Sequence, residues 1–550
     1  MPGRAEPVRP GGGMVTAPDP RAARAGASML RAGGSAVDAA VATAFAVGVV
    51  EPYMSGLGGG AWLVVREPGA PVATTVSGPI RAPGLARPEM YDVLPSAPGT
   101  GLYGWPAVRG DANIVGPLSV GVPGAVAALC RAHDRFGRLP LGQVLAPAIE
   151  LAEAGHETNW FASSAICGEA RLLRDFPSSA EVFLPGGLPL RGPSQGPGDL
   201  LAQPRLAEVL REIAAGGADA FYRGRAARAI AATVTGAGGL LSERDLAGYA
   251  ATEDEISPVE LGPLRLFGPL STGVISVVEA LLLVEAARDR GLDPGPRLWA
   301  RVLSRAFADR LREVTTAEDG PAPWARLATP EYAGQVLDGW LSGRDSSPAA
   351  PGGPGRAGCT SHLSVVDGDG MTVSLTQTVL DLFGSRLVEP ETGIVLNDGM
   401  MYFDPRPGQV TSVAPGAAGL SAVSPVILTG PGGAEATLGA SGGRRIISAV
   451  AQIIARWRDG ADLQDAISAP RVHAEGDRVW LDRRDAGAAT DLTGAGFDVA
   501  IVSEEPTTWH FARPNGIARR GGAAWAAGVD RMKPYGVGLP VDDRPDLPVD

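Results

Sequence analysis

Thr360 and Thr378 are the residues whose type and spacing first suggest chemistry. The runs Ser361–Asp367 and Met371–Thr378 alternate apolar and polar residues, and Gly368-Asp369-Gly370 separates them. A short glycine-containing turn between two alternating runs is a hairpin signal. Pairing Asp367 with Met371 carries Thr360 to the position opposite Thr378, where cross-strand hydroxyls readily hydrogen-bond. One hydroxyl steering another suits attack on a carbonyl; two threonines at a hairpin edge explain the same spacing without any chemistry. Cys359, directly before Thr360, offers a rival nucleophile. Further on, Ser441-Gly442-Gly443 lies between an expected strand, Glu435–Gly439, and an expected helix, Arg444–Trp457. Two glycines there let backbone N–H groups approach a ligand closely, with the helix dipole assisting. A tight strand-to-helix turn is the plainer account.

The elements that must position these residues fall into two regions. From Pro20 to about Trp340 the periodicity is mainly helical. Helices are expected at Arg21–Ala32, Ser35–Val50, Gly124–Phe136, Gly142–Gly155, Gln203–Gly216, Arg223–Val234, Ser276–Gly291 and Leu298–Asp319. Glu51-Pro52 ends the second, because the residue before a proline disfavours the helical region. Ser55-Gly56-Leu57-Gly58-Gly59-Gly60 then reads as a loop feeding a buried strand, Ala61–Val65. The stretch from Ser342 to Gly358 has no apolar period and is expected to be a mobile linker. After it, alternation marks half-buried strands, with more at Gly393–Asn397 and Ser424–Leu428, and a second helix at Leu463–Ser468. No internal repeat is present.

Composition closes off other classes. A chain of 550 residues at 45% hydrophobic and 20% charged is an ordinary globular protein with room for more than one core. Its formal charge of −12 argues against nucleic-acid partners. Cys130, Cys167 and Cys359 cannot form a disulfide framework, and the five histidines are far apart with no paired ligand spacing, so neither a metal nor a cofactor is expected. Residues 1–20 contain no apolar run able to serve as a signal-peptide core, and no segment is long enough to span a bilayer. The expectation is a cytoplasmic protein with a small-molecule substrate and no membrane partner.

The segment Thr360-Ser361-His362-Leu363-Ser364-Val365-Val366-Asp367 resembles the maturation site of the γ-glutamyltranspeptidase family, Thr-Thr-His-x-Ser-Val-Val-Asp. Similar stretches fall in order along the chain: Gly13-Met14-Val15, Gly33 to Ala40, Leu57 to Gly60, Val122-Pro123-Gly124, Gly393 to Asn397, Ser424-Pro425, Ser441-Gly442-Gly443 and Ala469-Pro470-Arg471. The resemblance implies an α+β, N-terminal-nucleophile fold: a four-layer αββα sandwich made as one precursor and cut internally. By the family pattern the cut falls between Cys359 and Thr360, giving a large chain, 1–359, whose end is the linker 342–359, and a small chain, 360–550, which stay together as a heterodimer. Thr360 would attack the Cys359 carbonyl, and its freed α-amine, with an ordinary pKa of about 7.7–8.0, would then serve as base for its own hydroxyl. The resemblance gives Thr378 the role of orienting that hydroxyl, and gives the backbones of Gly442 and Gly443 the oxyanion role. It leaves Cys359 as a passive residue on the leaving side.

The donor pocket departs from the family pattern. Aligned on Ala82-Pro83, the carboxylate-binding arginine becomes Pro79, with Arg81 two residues on as a possible substitute. The asparagine after the orienting threonine becomes Leu380. The glutamine and aspartate that receive the amino group become Gly399 and Tyr402, and of a serine pair Ser421 remains while its neighbour is Ala422. An unpaired buried polar group costs about 1–3 kcal/mol, so a zwitterionic glutamyl end should bind far less well. Retained chemistry beside an altered pocket points to a self-processing hydrolase or acyltransferase with a different donor. One divergent branch of the family, in alkylproline antibiotic biosynthesis, cleaves a C–C bond with release of an oxalyl unit. A genuine γ-glutamyl transpeptidase or glutathione hydrolase, and an unprocessed non-catalytic homologue, are the alternatives.

Overall fold

The structure, a computed structural model, describes residues 12–541 apart from 96, 98, 100, 315–321, 323, 345–357, 507 and 533–535. Most of the expected linker therefore lies outside the described residues. Gly358 is described, and Cys359 already belongs to a strand.

Two antiparallel sheets stack between two layers of helices, the α+β sandwich expected. The first sheet runs Val537–Val541, Gly13–Ala17, Cys359–Val366, Thr372–Leu380, Gly60–Arg66, Ala73–Gly78 and Thr252–Ile256. The second runs Ala526–Val529, Arg513–Arg519, Ala434–Ser441, Val426–Gly430, Leu264–Phe267 and Val259–Leu261. Both sheets mix strands from before and after Cys359. Neither part of the chain could complete a sheet alone.

The helix Ala36–Val50 is buried along its whole length and covers the centre of the first sheet. Ser35 and Asp38 close a capping box at its start. Two contacts fix it to the hairpin formed by Cys359–Val366 and Thr372–Leu380. The Asp367 carboxylate accepts from the Ala36 N–H at 2.9 Å, and from the Met371 N–H across its own turn at 2.9 Å. At the other end the Ser361 hydroxyl donates to Glu51 at 3.2 Å. The second sheet is covered by Val274–Asp289 and Arg445–Arg458, and Pro296–Glu313 and Pro330–Leu341 pack on the first of these helices.

Three expectations need correction. The hairpin strands are buried on both faces, not half-buried. Leu363, Val365, Val373 and Leu375 pack under the helix layer, while the polar alternate positions face the second sheet. There Ser374 donates to the Leu438 carbonyl at 3.1 Å, Asn515 donates to the His362 carbonyl at 2.8 Å, and the His362 ring bonds Thr376 at 2.8 Å and Ser364 at 3.1 Å. A polar face that finds partners in another sheet has the same alternation as one that meets water. Secondly, Gly393–Asn397 is not a strand: only Val395 forms a bridge, to Val388. Gly393 has φ +71°, and the Asn397 amide donates to the Gly58 and Gly121 carbonyls, so the segment pairs with loops. Thirdly, the helix expected over Leu298–Asp319 is Pro296–Glu313: Val314 is already extended, and 315–319 lie outside the described residues.

Candidate active site

Thr360 sits near the start of its strand, 3% exposed, on the face turned toward the second sheet. The ladder keeps the expected register from Val366 to Ser361, then shifts by one residue before Cys359 pairs with Leu380. Thr360 therefore stands at a bulge opposite Thr378-Val379, not directly across from Thr378. The hydroxyls still meet: Thr360 Oγ1 donates to Thr378 Oγ1 at 3.4 Å. The Thr378 hydroxyl in turn donates to the carbonyl of Cys359 and accepts the Leu380 N–H at 2.8 Å. It thus touches both the hydroxyl and the peptide carbonyl next to it. Bulges often re-aim a side chain beside a functional site. Leu380, buried with φ +89°, takes a strained left-handed conformation to present its N–H.

The glycine-rich loop before this strand pair is dictated by space. A Cβ on Gly59 would lie 2.2 Å from the Thr378 carbonyl oxygen, and one on Gly58 would lie 2.1 Å from that of Val395. Both obstacles are backbone, so Thr378 itself would have to move. A shift of about 1 Å at a catalytic group can cost about a hundredfold. Gly59→Ala is expected to lower turnover by about ten- to a hundredfold, with a lowered melting temperature; unchanged rates would show that Thr378 tolerates displacement.

Ser441-Gly442-Gly443 leads from the strand Ala434–Ser441 to the helix Arg445–Arg458, as its sequence suggests. Gly442 has φ +131° and Gly443 φ +58°. A Cβ on Gly443 would stand 2.8 Å from the Gly358 nitrogen. Gly443 therefore lies against the peptide preceding Cys359-Thr360, with Leu102 packed on the same spot, while Gly442 faces Ala512. The adjacent Arg444 is fixed by a buried relay: it pairs with Glu475, which meets His473 Nε2 at 2.9 Å, whose Nδ1 meets Ser448 at 2.7 Å. Burial pushes the Glu475 carboxyl upward, but Arg444 and His473 hold it below its ordinary value. Nothing in the sequence marks this relay, because its members are separated along the chain.

Cys359 is 1% exposed among Tyr53, Phe161, Phe383 and Val388, and burial pushes its thiol well above the ordinary range. A neutral buried thiol is a poor nucleophile. Burial likewise pushes His362 down to about 3, so the motif histidine is a neutral strut between sheets. No cluster able to hold a metal occurs among the described residues.

The altered pocket positions are placed unevenly. Tyr402 and Ser421 are buried and side by side, with the Tyr402 hydroxyl bonded to the Ser421 side chain. Ala422 is buried against Gly273 at the start of the helix Val274–Asp289. At Gly399 a Cβ would stand 2.2 Å from Ile80, which fills the space a polar side chain would need. The Arg81 guanidinium donates to the Gly416 carbonyl at 3.0 Å and bonds the Tyr249 hydroxyl, at a partly exposed position.

Asp398, next to Gly399, is buried with Arg386 at 3.8 Å, and one of its oxygens has no hydrogen-bond partner. Burial and then the Asp381 charge raise its carboxyl to about 8. The folded state therefore holds a proton that the unfolded chain releases above about pH 4. That contribution to stability is complete below about pH 4 and is lost as pH rises through about 8. Asp398→Asn, which mimics the protonated acid, should match wild type near pH 5 and melt several degrees higher at pH 9. An equal melting point at pH 9 would refute it.

The family model described as gamma-glutamyltranspeptidase matches residues 22–538. The chain is 37% identical over 488 residues to the acylase ACY 1 proenzyme of Pseudomonas sp. (strain SE83), covering 86% of this chain and 84% of that one. It is 32% identical over 497 residues to the glutathione hydrolase proenzyme of Escherichia coli (strain K12), covering 86% and 82%. Among solved structures, the cephalosporin acylase from Bacillus halodurans superposes with a TM-score of 0.83 at 27% identity, over 98% of this chain and 97% of that one.

Proposed function

The chain belongs to the γ-glutamyltranspeptidase family and is an N-terminal-nucleophile enzyme of the hydrolase and transferase kind; on that premise we propose a self-processing acylase whose nucleophile is Thr360. The observation that carries the reading is the Thr378 hydroxyl, which contacts Thr360 Oγ1 and the Cys359 carbonyl together, beside Gly443. In processing, Thr360 Oγ attacks that carbonyl and the C–N bond breaks, leaving an ester that water hydrolyses. The chains 1–359 and 360–550 remain interlocked because each sheet needs strands of both. The released Thr360 amine then takes the proton of its own hydroxyl as Oγ attacks an acyl donor. The N–H groups of Gly442 and Gly443 stabilise the resulting oxyanion. The amine passes its proton to the departing amine, and water releases the acid.

An amide donor without a γ-glutamyl zwitterion fits the pocket best, since Pro79, Gly399 and Tyr402 no longer offer the family's charged partners. The test is intact mass and N-terminal sequencing of purified protein, followed by trapping of an acyl group on Thr360. A species beginning Thr-Ser-His that carries the donor's acyl group is the expected result. Turnover by an uncut chain would overturn the reading. An oxalyl adduct from a carbon-linked donor would instead favour the C–C-cleaving chemistry on the same threonine.

A further inference from the structure

Arg310 has no carboxylate partner among the described residues. It lies on the helix Pro296–Glu313 and is fully buried, yet it forms no ion pair among the described residues. Its neighbours on the same helix, Arg305 and Arg312, both pair with Asp309. Instead Arg310 donates to the Thr272 carbonyl at 2.8 Å and to the Ser421 carbonyl, lies in hydrogen-bond contact with Tyr103, and leaves its Nε without an acceptor. A buried charge normally has a paired counter-charge. This one is surrounded by neutral oxygens.

Its position gives the missing counter-charge a meaning. Arg310 grips the backbone of Ser421, whose side chain bonds Tyr402, and its charge is felt at Tyr402. Tyr103 also binds the Leu420 carbonyl, and its neighbour Leu102 packs on Gly358 and Gly443. The cation therefore stands directly behind the Tyr402–Ser421 end of the pocket. Two acids whose charges reach its neighbours Tyr402 and Tyr103 have other cations beside them. Asp398 receives the Asp381 N–H at 3.0 Å and faces Arg386, while Glu475 pairs with Arg444.

We infer that Arg310 sets the charge preference of this site, rejecting a donor with an ammonium at the Tyr402–Ser421 end and favouring one that keeps a carboxylate there without the amine. This deepens the acylase reading and rests on it. Arg310 acts through Ser421 and Tyr402, so it is a positioning and specificity-determining residue, with no contact to the reacting atoms. A unit charge acting over about 8 Å in an effective dielectric of about 20 shifts a preference by roughly thirtyfold.

Glutaryl and γ-glutamyl p-nitroanilide form the matched test, because they differ only by the ammonium. Processed wild type should show kcat/KM at least about tenfold higher for the glutaryl donor. Arg310→Gln and, independently, Tyr402→Asp should each reduce that ratio about fivefold or more, and Arg310→Lys should restore it. A purely structural role would lower both rates and leave the ratio unmoved. The inference is overturned if processed wild type prefers the γ-glutamyl donor, if it turns over neither, or if the ratio survives in both variants. A gel separates this from failure of the underlying reading: a chain that never cuts refutes the acylase proposal, and this inference with it.

Discussion

Thr360→Ala is expected to give a single uncut chain with turnover lowered by at least about a thousandfold. Two losses coincide in this variant. Without the hydroxyl nothing attacks the Cys359 carbonyl, so the Thr360 amine is never released; without both, a processed chain would have neither nucleophile nor base. The neighbouring groups cannot take over. Cys359 is buried and its thiol is pushed well above the ordinary range, and the Thr378 hydroxyl is already committed to the Cys359 carbonyl and the Leu380 N–H. Removing the nucleophile of a comparable catalytic unit costs about a millionfold, so a thousandfold is a conservative threshold. Intact mass and a rate measurement check both effects together. Thr360→Ser should process and turn over, since it keeps the hydroxyl and the amine and loses only a methyl. Processing that persists in the alanine variant would remove Thr360 from the chemistry altogether.

Gly443→Ala carries the second-largest expected effect: stalled processing and a fall in kcat of at least about a hundredfold. At φ +58° an alanine is strained by about 1–2 kcal/mol. Its Cβ would also stand 2.8 Å from the Gly358 nitrogen and 3.0 Å from its Cα. Neither obstacle is a side chain that can swing aside. The loop must therefore retreat from the peptide preceding Thr360, taking its N–H groups away from the oxyanion; one lost donor is worth about a hundred- to a thousandfold. Single-turnover kinetics on pre-cut enzyme would separate the effect on chemistry from the effect on maturation. Normal processing with normal kcat would show that these N–H groups stabilise no oxyanion.

Much of this was legible along the chain. Hairpins are local, so turn chemistry and alternation placed Asp367 opposite Met371 and brought the two threonines together. The helix Ala36–Val50 was legible because its helical spacing and its proline stop are local in sequence. The strand-glycine-helix passage at Ser441–Gly443 was readable for the same reason. The strands Thr252–Ile256 and Leu264–Phe267 escaped, because short strands in a largely helical stretch take their stability from distant partners, Ala73–Gly78 and Val426–Gly430. The bulge at Thr360 escaped as well, since a one-residue slip depends on how the chain end is held and not on the alternation before it.

By itself, the residue order determined the family and singled out Thr360, Thr378 and the Gly442-Gly443 loop as the candidates for chemistry, because each rests on neighbours a few positions apart or on motifs in fixed order. The tertiary structure decided what surrounds them. It turned the polar side of the hairpin toward a second sheet, filled the place of a pocket side chain with Ile80, and set an unpaired Arg310 behind Tyr402 and Ser421. The reason is range: hydrogen-bond register and turn geometry act over a few residues, whereas burial and electrostatic compensation depend on side chains that only folding brings together from more than a hundred positions away.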